Sequence, residues 1–99
     1  MSVIRPSLFL IMQRFPECKD ALRYMYSRDN HFKTLCNNYQ ICSEALHYWR
    51  ESEHEVAPDR HREYLALLHE IEKDIRQHLE NLVKEGWPKQ RKHPGLITD

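Results

Sequence analysis

Bulky residues recur between positions 32 and 49 at Phe32, Leu35, Tyr39, Cys42, Leu46 and Trp49, in alternating steps of three and four. That rhythm follows one face of an α-helix. A second run keeps the same rhythm at Tyr64, Leu68, Ile71, Ile75 and Leu82. Its missing beat falls on His78, with Leu79 beside it. The pattern predicts two long helices, over about 30–53 and 58–85. Pro58 and Asp59 suit a helix start, and Gly86 followed by Trp87-Pro88 suits a stop.

The two seams match if the helices fold back on each other. Trp49 then faces Tyr64, Leu46 faces Leu68, and Cys42 faces Ile71. Tyr39 faces Ile75, Leu35 faces His78, and Phe32 faces Leu82. The midpoint of this register falls near residue 57, inside "ESEHEVAPD", where Pro58 independently argues for a turn. A bend between about Ser52 and Asp59 follows.

Ahead of the hairpin, Ser7 is a candidate cap for a short helical turn in which Leu8, Ile11, Met12 and Phe15 share a face. Pro16 makes Phe15 extended and opens a second segment, along which Cys18, Ala21, Leu22 and Met25 line one side. The run "SRDN", Ser27 to Asn30, marks a break. Glu72 to Arg76 and Glu80 to Lys84 are spaced as favourable pairs on a solvated face. The expected fold is all-α: a long antiparallel hairpin with one or two short N-terminal helical segments. Residues 1–86 form one domain, and 87–99 form a flexible basic tail carrying Lys89, Arg91 and Lys92.

"FPE" at Phe15 to Glu17, "HF" at His31-Phe32, then Leu35 and Tyr39 together resemble the opening of the YdcH-like family of small bacterial helical proteins. The likeness covers roughly residues 15–83. It implies a short helix followed by a long antiparallel hairpin, and it implies no activity. The N-terminal extension, the basic tail and the histidines depart from the family pattern.

Composition narrows the function classes. Charged residues make up 30% of the chain and balance to zero, so no global field points to nucleic acid or a membrane. With only two glycines the chain is poor in the residue that strand-rich folds use at turns. The three cysteines, Cys18, Cys36 and Cys42, form no C-x-x-C and fit a reducing compartment. The apolar run Leu8 to Met12 is far shorter than the ~20 residues a bilayer span takes, and a cytoplasmic location is expected.

Candidate chemistry is sparse. His61, His69 and His78 splay around their helix rather than sharing a face, and His47 and His54 lie two turns apart. No histidine stands at a short spacing to activate a cysteine thiolate. Asn37 and Asn38 point away from the seam. No phosphate-binding loop, nucleophile elbow or paired-carboxylate motif is present. The expectation is a non-enzymatic protein-interaction or structural module without a cofactor. Its partner-binding group is Leu8, Phe9, Ile11 and Met12, docking onto a second copy as a dimer. Two alternatives are a metal- or haem-binding bundle built from histidines and a nucleic-acid accessory protein acting through the tail.

Overall fold

The computed structural model describes residues 5–88. It is all-α: α1 (Pro6–Arg14), a 3-10 turn (Pro16–Cys18), α2 (Lys19–Arg28), α3 (Asn30–Glu51) and α4 (Ala57–Lys84). No strand occurs among the described residues.

Each boundary has a local cause. Pro6, rather than a Ser7 cap, opens α1, where its missing N–H is not needed; Ser7 is buried instead. Phe15 leaves the helical region before Pro16, with φ −126° and ψ 68°, short of the extended conformation expected there, and Pro16 starts a 3-10 turn before the α-helical turns of α2 begin. Asp29 is the single residue between α2 and α3. Its carboxylate accepts from the amides of His31 and Phe32, at 2.9 and 3.2 Å, and so caps α3. Residues 52–56 connect α3 to α4.

The far end of α4 closes as the pattern predicts. Gly86 adopts φ 99°, a left-handed conformation in which a side chain would collide with the backbone. Its amide donates to the Val83 carbonyl, and the Trp87 amide donates to the Leu82 carbonyl. Those paired bonds satisfy carbonyls that the helix end would otherwise leave bare.

α3 packs most extensively against α4, and α1 rests on α3 and α2. One core runs through all four helices. From α3 it takes Phe32, Leu35, Cys36, Tyr39, Cys42 and Leu46, and from α4 Leu68, Ile71, Ile75 and Leu79. α1 and α2 add Leu8, Ile11, Met12, Leu22 and Met25. Burying one large apolar side chain is worth ~1.5–3 kcal/mol, so this shared core is the main source of stability.

Several expectations change. Leu79 takes the buried seam position assigned to His78, which is only half-buried with Nδ1 at 2.9 Å from the Asp74 carbonyl. A leucine is cheaper to desolvate than an imidazole, so a slight rotation of α4 favours it. The Tyr39 hydroxyl bonds Glu72, a partner the seam does not predict, and the Phe32 ring lies 5.8 Å from that of His78. Trp87, assigned to the flexible tail, is half-buried and packs 5.8 Å from the Tyr24 ring. The rest of the proposed tail, 89–99, lies outside the described residues.

Candidate functional site

The predicted partner-binding group does not stay together. Leu8, Ile11 and Met12 are buried in the chain's own core, with Ile11 at 0% exposure. They pack with Leu22 and Met25 inside the chain rather than forming an exposed group. Only Phe9 remains outside, at 50% exposure. The reason is geometric. Cys36, beside the seam residue Leu35, is fully buried and broadens the buried face of α3, on which α1 and α2 pack.

The exposed apolar residues lie elsewhere. Ile41 and Tyr48 on α3 are 60% and 62% exposed. They belong to a stripe of Thr34, Asn38, Ile41, Ala45 and Tyr48, spaced four, three, four and three along α3. Residues at that spacing share one helix face. None of the five is charged, in a chain where 30% of residues are. Asn38, expected to point outward, is exposed in the middle of the stripe. Leu67 and Val83 are further exposed apolar positions, both on α4.

A second feature is buried. Glu72, expected on a solvated face beside Arg76, is only 6% exposed. Arg14, at the end of α1, donates to both of its carboxylate oxygens, at 2.8 and 3.2 Å. The Tyr39 hydroxyl donates to Oε2 at 3.0 Å. Three helices thus converge on one carboxylate. Burial alone would push the Glu72 carboxyl up. The hydrogen bonds from Arg14 and Tyr39, with the positive charge of Arg14 and a smaller contribution from His69, outweigh it and hold the group below its ordinary value. Burial, reinforced by the bond to Glu72, pushes the Tyr39 phenol up to about 12. Such a carboxylate is engaged on both oxygens and is poorly placed as a general base. Its geometry is that of a structural clasp. The signal for it was its place in the seam: Glu72 stands four residues after Leu68 and three before Ile75.

The histidines and cysteines are dispersed. His31 and His78 stack with ring centroids 5.5 Å apart, and His54 meets the Trp49 ring edge-on at 6.3 Å. Among the described residues no three His, Cys, Asp or Glu side chains are grouped so as to hold a metal ion. Burial pushes the thiols of Cys36 and Cys42 up, that of Cys36 to about 12, which disfavours the nucleophilic thiolate. No helix among the described residues is long and apolar enough to cross a membrane.

Compared with protein-family models, curated proteins and solved structures, the chain matches none of them.

Proposed function

We propose that this chain is a small non-enzymatic interaction module, built on a long antiparallel hairpin of α3 and α4, that pairs with a second copy of itself through the outer face of α3. The hairpin is supported by the order of contacts. Moving along α3 from Phe32 to Tyr39, the partners step back along α4 from His78 to Glu72. The short connection at 52–56 fits the same arrangement. It is also the arrangement that the resemblance to the YdcH-like family implies.

The uncharged stripe carries the pairing. A two-fold interface sets a surface against itself, so any charge near the axis meets its own copy. The stripe of Thr34, Asn38, Ile41, Ala45 and Tyr48 offers no such conflict. Ile41 and Tyr48 supply apolar area that water would otherwise cover. Asn38 carries both donors and an acceptor, so its amide can pair with an identical amide.

Sedimentation and native mass spectrometry of the full chain test this reading. The expected result is a species of twice 12.1 kDa that falls to the single-chain mass when Ile41 and Tyr48 are both changed to glutamate. A wild-type protein that stays a single chain at every concentration overturns self-pairing. A stoichiometric metal or haem mass, or co-purified nucleic acid, would instead favour the histidine or tail alternatives.

A further inference from the structure

A polar cleft of about 410 Å³ opens where the start of α1 meets α2 and α3. Its chemistry is one-sided. Arg5 and Lys33 bring two cations, Ser7 and Tyr26 two hydroxyls, and Asn37 and Gln40 two amides, and no lining residue is acidic. The Gln40 amide donates one hydrogen bond to the Glu44 carboxylate, at 3.1 Å, and keeps its second N–H available. Lys33 is positioned over the Tyr26 ring, 5.8 Å from its centroid, rather than neutralised by an acid.

The start of α1 adds donors. Arg5 is its N-terminal boundary residue, in an extended conformation, and no side chain caps the helix. Pro6 has no N–H, and the Phe9 amide is the first to find a carbonyl, that of Arg5. The amides of Ser7 and Leu8 are therefore the unbonded donors of the first turn. Ser7 itself supplies a separate observation. It is 2% exposed and lines the cleft, yet its hydroxyl has no hydrogen-bond partner among the described residues. A buried hydroxyl left in that state costs free energy unless something in the cleft bonds it.

We infer that this cleft binds the phosphate group of a small phosphate monoester, with Arg5 and Lys33 balancing its charge and the Ser7 hydroxyl and first-turn amides of α1 bonding its oxygens. Phosphate presents more acceptor oxygens than a carboxylate and uses donors converging from several directions. Helix starts favour such an anion through their unbonded amides and positive end. The cleft is larger than the phosphate alone, so the remainder of a small organic ester fits beside Tyr26, Asn37 and Gln40. This site is separate from the outer face of α3 and does not depend on self-pairing.

The test is an NMR titration of the full chain with inorganic phosphate and with glycerol phosphate, against sodium chloride at equal ionic strength. Saturable shifts of the Ser7 and Leu8 amide signals are expected with both phosphates and not with chloride. Lys33→Gln and Arg5→Gln are each expected to weaken binding by about tenfold, the size of one lost charge-assisted hydrogen bond. Ser7→Ala should weaken binding while leaving the unliganded protein at least as stable, because it removes a buried hydroxyl that has no partner. Sedimentation with phosphatidylcholine vesicles, with and without phosphatidic acid, distinguishes the source. Vesicle binding that free glycerol phosphate competes away assigns the phosphate to a lipid headgroup, and its absence assigns it to a soluble ester. Shifts that fail to saturate, or affinity unchanged in both charge variants, overturn the proposal.

Discussion

The Tyr39 hydroxyl donates to the Glu72 carboxylate at 3.0 Å, joining the middle of α3 to the middle of α4. The same carboxylate receives Arg14 from α1, whose backbone lies on α3 and α2 rather than on α4. The link is polar inside an apolar core, so its worth depends on every partner being present.

Removing one partner should show this. Glu72→Gln leaves the Tyr39 hydroxyl with a weaker acceptor and frees Arg14, whose side chain is 47% exposed and can return to water. A loss of about 1–3 kcal/mol in urea unfolding is expected, with about 1 kcal/mol for Tyr39→Phe. The double variant should lose less than the sum of the two, because they share one bond. Strict additivity would show that the hydroxyl and carboxylate do not interact in solution.

Stability should also depend on pH at both ends of the scale. Glu72 is held below its ordinary value of 4.5 in the folded chain, so it favours folding above that value. The contribution disappears as pH falls through the lower folded-state value. Tyr39 is raised from 10.0 to about 12, so its contribution is complete below 10.0 and is lost as pH rises towards 12. Unfolding curves across this range should slope less at the acid end for Glu72→Gln and less at the alkaline end for Tyr39→Phe. Variant profiles parallel to the wild type at both ends would rule out the network as their source.

The four residues of the N-terminal group should separate into two kinds. Ile11→Ala removes a side chain with no exposure and should cost about 2–5 kcal/mol. Phe9→Ser alters a half-exposed position and should change stability by less than about 1 kcal/mol. Thermal or urea unfolding of the two variants gives the comparison. Equal losses would mean that Phe9 is covered in solution, as it would be at an interface.

What could be read from the residues and what could not divide along physical lines. The stop at Gly86 depends on three consecutive residues and was plain. The capping role of Asp29 was partly visible in the run "SRDN", since a cap acts over a few positions. The role of Glu72 was not, because a carboxylate inside a seam looks solvated until a cation arrives from elsewhere, and Arg14 is 58 positions away. The same holds for Leu8, Ile11 and Met12. Their apolarity announces burial, but only the three-dimensional path of α1 decides whether they enter the chain's own core or another's. The shift from His78 to Leu79 shows a finer limit. Adjacent residues differ by ~100° around a helix, so a small rotation exchanges which one is buried.

The bond from Arg14 to Glu72 also bears on how the chain is made. A ribosome adds about 5–20 residues per second. With 58 positions between the two residues, Arg14 exists for some seconds before its partner does. During that interval Leu8, Ile11 and Met12 have emerged and the helix that completes their core has not. The newborn chain thus passes through a stage with an uncovered greasy end. That stage, rather than the finished fold, is when the N-terminal segment is open to capture by a chaperone.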